Sequence, residues 1–236
     1  AGLDHAPDAA LAVVTPGQQA PLGVTLSLAR RLALLDWATQ ANAWVIEDDY
    51  LSELQLKGRA APALASLDRT GRVIHIGSFS KTLSPALRLG FIVAPPSLVA
   101  HFGEVAACLA PPPGPATQNA IAAFMRDGHY LRHLRRVKRV YASQRDALLK
   151  CLGERAQDFN VATAGLAVSL ELPRAVSDLA IIREMLPFGL TPAPLSIWYA
   201  SQETARSGLL LGIATAPTRH VARSCERLLS VIDRFS

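Results

Sequence analysis

A strand, helix, strand pattern near the N-terminus most limits the folds open to this chain. The apolar run L-A-V-V-T at Leu11–Thr15 is typical of a short strand, and it is closed by a proline and a glycine. Thr25 is placed to cap a helix, and the next strand is predicted over Ala43–Ile46. Helical spacing between them is carried by Leu28, Leu32 and Leu35. Such a unit predicts parallel strands covered by helices, which is an α/β fold with a mainly parallel sheet.

Further elements extend this unit. Strands are predicted over Val73–Ile76 and Leu89–Val93, and helices on either side of the break at Pro111–Pro115. A long helix is predicted over His129–Leu152. We therefore expect a large domain over residues 1–128, and a connecting helix over 129–152.

The pattern changes after Gly153. The run A-G-L-A-V-S-L-E-L and the later run G-L-L-L-G-I-A-T predict strands, and helices are predicted near Ser177–Leu186 and from about Pro217. This mixture predicts a small α+β domain over residues 153–236. Half of the 236 residues are hydrophobic and 18% are charged, which is enough apolar side chain for a substantial core.

Composition also limits the compartment and the ligand class. The three cysteines are far apart, so neither a disulfide framework nor a CxxC metal site is available, and a cytoplasmic protein is expected. No apolar run reaches the roughly 18 residues of a membrane span, and the N-terminal residues do not resemble a signal peptide. The net charge of +5 suits an anionic ligand without identifying one.

One lysine stands where a buried strand ends. The segment V-I-H-I-G-S-F-S-K-T-L-S-P-A-L-R-L-G places Lys81 next to Ser78 and Ser80, while Asp48 and Tyr50 follow the preceding strand. Because ligands bind beyond the carboxyl ends of parallel strands, these groups and Arg88 are expected to converge. An amine, a carboxylate, a phenol, hydroxyls and a guanidinium are what pyridoxal 5′-phosphate requires.

Each of these residues also has a simpler interpretation. Taken alone, Lys81 is better explained as a solvated lysine at a strand end, and only the whole set favours covalent cofactor chemistry. Asp48 and Asp49 could form a turn, which we favour for Asp49. The serines could merely end a strand, and Arg88 could pair with a surface acid. A P-loop and a G-x-S-x-G nucleophile elbow are both excluded by the spacing around Lys81.

The long helix carries a basic segment, R-H-L-R-R-V-K-R-V-Y. A nucleic-acid interface is one interpretation, but we expect these charges to spread around the helix and find no aromatic stacking platform beside them. A solvated or interface face is therefore favoured. His75 is interpreted as a core histidine, and no histidine has metal-ligand spacing.

V-I-E-D-D-Y followed by G-S-F-S-K-T-L-S-P-A-L-R-L-G resembles the fold type I aminotransferase superfamily. Within it, the chain is most similar to the aminotransferase-type domain of MocR regulators, which are GntR-class transcription factors, and the similarity covers nearly the whole chain. The resemblance implies a Schiff base on Lys81, with Asp48 at the pyridinium nitrogen and Tyr50 at the ring oxygen. It also implies that the phosphate is held by Ser78, Ser80 and Arg88. The implied partners are an amine or amino acid effector and a second copy of the chain.

Three departures from the family pattern shape the expected function. Ala20 precedes Pro21 where aminotransferases have an asparagine, which favours a regulator. Leu209 stands where many transaminases have an arginine for the substrate carboxylate. The chain begins at Ala1 without a methionine, so we expect the C-terminal part of a longer protein, with nucleic acid bound only by an upstream module. The alternatives are a working aminotransferase and a fragment that keeps only structural or dimer contacts.

Overall fold

The structure is a computed structural model that describes residues 8–58, 60–109, 112–215 and 218–235. The chain divides into two compact units. The first contains the residues up to Gln19 together with Val24–Arg135, and the second contains Ala20–Gly23 together with Arg136–Ser236. No helix in the described ranges is both long enough and apolar enough to cross a membrane.

The first unit is built on a four-stranded sheet. Its strands are β1 (Leu11–Val14), β2 (Trp44–Asp49), β3 (Val73–Ser78) and β4 (Gly90–Val93). They lie in the order β1-β2-β3-β4, with the first three parallel and β4 antiparallel to β3. The predicted α/β fold with a mainly parallel sheet is therefore confirmed. β2 and β3 each extend beyond the predicted strand, so that Asp48 and Ser78 lie inside strand ends.

Helix α1 (Leu28–Gln40) connects β1 to β2 and packs on this sheet. Its cap is Ser27, whose Oγ accepts the Arg30 N–H at 3.4 Å, so the Thr25 cap predicted from the sequence is wrong. Thr25 instead donates its hydroxyl to the Gly17 carbonyl at 3.2 Å. The core beneath the helix consists of Leu34, Leu35, Ala38, Val45, Leu64 and Val73.

Three more helices follow β4. α2 (Val99–Leu109) and α3 (Pro115–Arg126) lie on either side of the proline break, as predicted. α4 (His129–Leu152) has the predicted bounds, because Gly128 precedes it in the left-handed conformation and the apolar spacing continues to Leu152. The division between the two units falls within α4.

The second unit contains an antiparallel sheet. Its strands are β5 (Asn160–Ala164), β6 (Ala167–Glu171), β7 (Ala193–Pro194) and β8 (Gly208–Gly212), in the order β5-β6-β8-β7. Its own helices are α5 (Asp178–Met185) and α6 (Thr218–Ile232). Burial along β6 and β8 places Val168, Leu170 and Leu209 in the core of this unit. The predicted α+β character is present, while β5 and β7 are strands that the sequence patterns did not indicate.

Candidate functional site

The carboxyl ends of β2 and β3 bring the first group of predicted site residues together. Asp48 is opposite Ile76 in the parallel register, and Ser78 lies two residues beyond Ile76, so Asp48 and Ser78 are on the same face of the sheet. Tyr50 follows Asp48 closely enough that the carboxylate affects it. Burial, and then the negative charge of Asp48, raise the pKa of the Tyr50 phenol. The phenol therefore remains protonated and can donate a hydrogen bond.

A closed loop between β3 and β4 carries the remaining predicted residues. The Phe79 N–H donates to the Leu89 carbonyl at 3.1 Å, one step beyond the Ser78 and Gly90 pair. Inside the loop, the N–H groups of Leu83 and Ser84 donate to the Phe79 carbonyl at 2.8 and 3.2 Å. This closure holds Ser80, Lys81 and Arg88 at the same edge of the sheet as Ser78.

The polar groups of this edge are free for a ligand. Lys81 and Arg88 are exposed, and their side chains make no hydrogen bond or ion pair within the part of the chain that the structure describes. The Asp48 carboxylate also lacks a hydrogen bond to any described residue. Ser78 Oγ accepts the Ser80 N–H at 3.2 Å, which leaves its own O–H available as a donor. An ammonium, a guanidinium, two hydroxyls and a carboxylate therefore lie open at one sheet edge.

Arg88 has a backbone conformation that is uncommon for its residue type. Its φ of +50° and ψ of 39° lie in the left-handed region, where a Cβ costs about 1–2 kcal/mol. The Arg88 N–H donates to the Pro85 carbonyl at 3.2 Å, and this bond closes a short helical turn. Strain of this kind is concentrated at ligand-binding positions. The strained backbone of Arg88 thus lies at the edge of the sheet where the sequence predicts the phosphate site.

Asp49 differs from its neighbour Asp48. Its Oδ1 accepts the Ser52 N–H at 3.0 Å, so this carboxylate organises a turn. Gly17 packs against that turn, because a Cβ on Gly17 would lie 2.0 Å from Ser52 Oγ. The hydrogen bond agrees with the turn interpretation favoured for Asp49, whereas the Asp48 carboxylate makes no hydrogen bond to a residue that the structure describes.

A hydrogen-bonded pair of a glutamate and a histidine lies on the opposite face of β2 and β3. Glu47 is 1% exposed, and its carboxylate accepts the N–H groups of Leu64 at 2.6 Å and Ala65 at 3.0 Å. His75 Nδ1 lies 2.9 Å from the same carboxylate. Burial by itself would raise the pKa of Glu47, but the hydrogen bonds from His75 and the two amides outweigh it, and the pKa is lowered. The bond to Glu47 raises the pKa of His75 against burial, and Asp49 and Glu53 add to the rise.

This pair was not found from the sequence. The sequence predicts a core histidine at His75 and indicates no role for Glu47. The sequence signal that could have indicated this pair is the position of Glu47 and His75 shortly before the ends of β2 and β3. Glu47 and His75 are partners in the parallel register, and each lies one to three residues before a residue of the candidate site.

A small polar cavity lies at the carboxyl ends of these strands. It has a volume of about 80 Å³. Its lining includes the predicted residues Tyr50 and Ser78, together with Asp49, Glu53, His75 and Thr82. Gly77 makes room for the Phe91 ring beside it, because a Cβ on Gly77 would lie 2.1 Å from Phe91 Cζ. Of the predicted site residues, only Tyr50 and Ser78 line this cavity; Asp48, Ser80, Lys81 and Arg88 do not. Asp49 and His75 belong to the face of the sheet opposite Asp48.

The first turns of α4 fix the segments on both sides of the cavity. Tyr130 donates its hydroxyl to Glu53 Oε2 at 2.5 Å, and burial followed by this bond raises the pKa of the phenol. A ring N–H of His133 donates to the Thr82 carbonyl at 2.8 Å. Thr82 adjoins Lys81, so this contact restrains the lysine loop from one side. These α4 contacts depend on residues far apart in the sequence, and no local motif indicated them.

The donor set fits pyridoxal 5′-phosphate. The phosphate needs hydroxyl and cationic donors, which Ser78, Ser80 and Arg88 present at one edge of the sheet. Asp48 offers an unengaged negative charge on the same face as Ser78. Lys81 adds a primary amine in the loop that joins β3 to β4.

The family described as aminotransferase class I and II matches residues 1–190 of the sequence. The chain belongs to this family. The resemblance predicted from the sequence is confirmed, and so is the cofactor expected from it, since these aminotransferases use pyridoxal phosphate. The site residues themselves remain predictions.

Both regulators and enzymes of the aminotransferase family are similar to this chain. The probable rhizopine catabolism regulatory protein MocR of Rhizobium meliloti is 36% identical over 211 residues, which are 88% of this chain and 43% of that protein. Aromatic-amino-acid aminotransferase 1 of Thermococcus litoralis is 28% identical over 221 residues, which are 92% of this chain and 52% of that enzyme. The chain thus spans about half the length of these relatives.

A solved aminotransferase structure matches the fold. LysN, the α-aminoadipate aminotransferase of Thermus thermophilus, is 28% identical, with a TM-score of 0.80 over 94% of this chain and 58% of LysN. That structure holds N-(5′-phosphopyridoxyl)-L-leucine. The similarity confirms the predicted fold type for both sheets of this aminotransferase-like chain.

Proposed function

We propose that this chain is the pyridoxal-phosphate-binding effector domain of a MocR-type transcriptional regulator. The observation that carries the proposal is the open edge of β2 and β3, where, among the described residues, Lys81 and Arg88 are unpaired beside Asp48, Tyr50 and Ser78. Bound pyridoxal phosphate supplies an aldehyde that condenses with amines and a ring nitrogen that serves as an electron sink. The protein supplies binding, orientation and charge.

The resemblance to the aminotransferase family implies a role for each residue. Lys81 holds the carbonyl carbon of the cofactor through its amine, because it is the lysine nearest the phosphate donors in the chain. Asp48 keeps the ring nitrogen protonated by its negative charge. Tyr50 stays protonated because its pKa is raised, so it donates to the ring oxygen. The phosphate is bound by Ser78, Ser80 and Arg88.

A regulator is favoured over an enzyme by two features. β8 has the sequence G-L-L-L-G, and Leu209 is fully buried in it, so this strand offers no arginine for a substrate carboxylate. The identity to the MocR regulator is higher than that to the Thermococcus enzyme. Without a carboxylate anchor, an amine or amino acid would bind as an effector more readily than it would turn over.

We further propose a cytoplasmic homodimer. β4 exposes Phe91, Ile92 and Val93 by 43 to 55%, and α2 has no buried residue among those described. Apolar surface of this extent is typical of a protein contact. In such a regulator, nucleic acid is bound by a DNA-binding module that precedes the effector domain.

The second candidate function is amino-group transfer by this domain itself. It is favoured by the Asp48 carboxylate, which makes no hydrogen bond to a described residue. Such a carboxylate would support the electron-sink function of the cofactor ring, and a domain that only bound the cofactor would not need that function. The similarity to LysN agrees with this alternative.

Spectroscopic titration with pyridoxal phosphate tests the proposal. We expect the absorbance band of lysine-bound cofactor in the parent chain and in Lys57→Ala, and no such band in Lys81→Ala. Addition of an amine should displace the band, while no 2-oxo acid accumulates from common amino acids. A band that persists in Lys81→Ala contradicts the site, and sustained formation of 2-oxo acid favours the aminotransferase.

A further inference from the structure

The second unit contains a cavity that is separate from the residues of the cofactor site. It has a volume of about 190 Å³ and lies between α5, the end of β8 and the first turns of α6. Its floor is apolar and formed by Leu148, Met185, Val221, Cys225 and Leu228, each no more than 5% exposed. Burial raises the pKa of the Cys225 thiol to about 12, so this group is neutral near pH 7 and adds to the apolar floor.

The rim of this cavity is polar and open to solvent, since Thr191, Thr215 and His220 are exposed and Ser224 is half-buried. Thr191, Thr215, His220 and Ser224 line it together with the apolar floor. None of these four side chains makes a hydrogen bond or ion pair with another described residue. Their hydroxyl and imidazole groups can donate hydrogen bonds, and His220 lies in the first turn of α6, where the helix dipole favours negative charge.

The charge of the lining selects among ligands. Among the described residues, no aspartate or glutamate lines the cavity. An ammonium group at this rim would therefore find no carboxylate partner among the lining residues. A carboxylate would instead find several donors at the rim, while its hydrocarbon chain covers the apolar floor.

The size of the cavity sets an upper limit on the ligand. Pockets for drug-sized molecules measure about 300–1,000 Å³. At about 190 Å³, this cavity suits a smaller molecule.

We propose that the cavity between α5, β8 and α6 binds a small monocarboxylic acid with an unbranched or singly branched apolar chain, its carboxylate at His220 and Ser224 and its chain on Met185 and Leu228. All of the residues that line it belong to the second unit, and none is a predicted cofactor residue. The cavity gives the domain a second small-molecule input besides the proposed amine or amino acid effector.

Isothermal titration of the 236-residue chain with three probes of equal length tests this site. The probes are hexanoate, hexan-1-ol and hexylammonium at the same pH and ionic strength. We expect hexanoate to bind with one site per chain, hexan-1-ol to bind about tenfold more weakly, and hexylammonium not to bind. Equal affinity for all three would show a nonspecific apolar cavity and overturn the proposal, as would absence of hexanoate binding at millimolar concentration.

Variants locate the binding. His220→Gln with Ser224→Ala should weaken hexanoate at least tenfold and leave hexan-1-ol within twofold. Ser224→Phe should fill the cavity and abolish both. The matched control, His101→Gln with Ser97→Ala, changes the same residue types in the first unit and should leave both affinities unchanged.

If the rim double variant and the control bind hexanoate equally, the carboxylate is not at His220 and Ser224 and the proposal fails. The cofactor titration should be the same in all these variants. Failure of this inference is thereby distinguishable from failure of the proposed function.

Discussion

The two faces of β2 and β3 treat their polar groups in opposite ways. On one face, Glu47 is buried and its carboxylate is bound by His75 and two backbone amides. On the other face, the adjacent Asp48 has no hydrogen bond to any described residue and stands beside Tyr50. A strand turns successive side chains to opposite faces, so neighbouring acids can serve different purposes. Polar side chains that stabilise the sheet thus have hydrogen-bond partners within the protein. Those that can hold a ligand keep donors or acceptors without a partner among the described residues.

The largest effect expected from this difference is on stability. Glu47→Ala removes a buried charge and leaves His75 and the Leu64 and Ala65 amides without their acceptor. We expect a loss of about 3–5 kcal/mol in the free energy of unfolding. Asp48→Ala, one residue away, should change it by no more than about 0.5 kcal/mol. Denaturant unfolding of both variants without cofactor measures these changes. Equal losses in the free energy of unfolding would contradict the distinction between the two faces.

Arg88 offers a second contrast, between local strain and ligand binding. Arg88→Gly should weaken cofactor binding about tenfold to a hundredfold, because a charge-assisted hydrogen bond contributes about 1.5–3 kcal/mol. The same change relieves the left-handed backbone and should leave the free energy of unfolding unchanged or raise it by about 1 kcal/mol.

Two further variants separate these effects. Arg88→Ala should lose affinity equally without the gain in stability, because it keeps a Cβ. Arg69→Ala, an exposed arginine in the same unit, is the matched control and should change neither quantity. Unchanged cofactor affinity in both Arg88 variants would remove this residue from the phosphate site.

The smallest expected effect is the pH dependence of the buried pair. The pKa of Glu47 is lowered, so its contribution is complete above the usual value of 4.5 and is lost as the pH falls through the folded-state pKa. The pKa of His75 is raised, so its contribution is complete below 6.5 and is lost as the pH rises through the folded-state pKa. Both contributions are present between these two values.

The stability difference between the parent chain and the Glu47→Gln, His75→Gln double variant should therefore be largest near pH 5.5. At pH 8.5 it should be smaller, because the contribution of His75 is lost as the pH rises through its raised folded-state pKa. Denaturant unfolding at pH 4, 5.5 and 8.5 provides the comparison. A difference that is constant across these pH values would contradict an ionised pair.

Local patterns predicted much of the fold because the elements concerned are long and regular. The parallel unit around α1 and the bounds of α4 followed from apolar spacing and from glycine and proline positions. β5 and β7 were missed, since N-V-A-T-A carries little apolar signal and β7 has only two residues. The α1 cap was wrong because Thr25 and Ser27 are both suitable residues, and only the backbone path selects between them.

The candidate site likewise contains parts that the sequence indicates and parts that only the fold brings together. The segments around Asp48 and Lys81 were recognisable because strand ends and a lysine between serines are local signals. The Glu47 and His75 pair and the contact of Tyr130 with Glu53 join residues 28 and 77 positions apart, which only the folded register brings together.

The central claim is that Lys81 is the residue that binds the cofactor, and borohydride reduction followed by peptide mapping tests it most directly. The chain has four lysines, Lys57, Lys81, Lys138 and Lys150, so each can be assigned to its own peptide. Reduction of the cofactor-loaded chain should place the pyridoxyl label on Lys81 alone, and Asp48→Asn should retain that label. A label on another lysine, or one spread evenly over all four, would contradict the account.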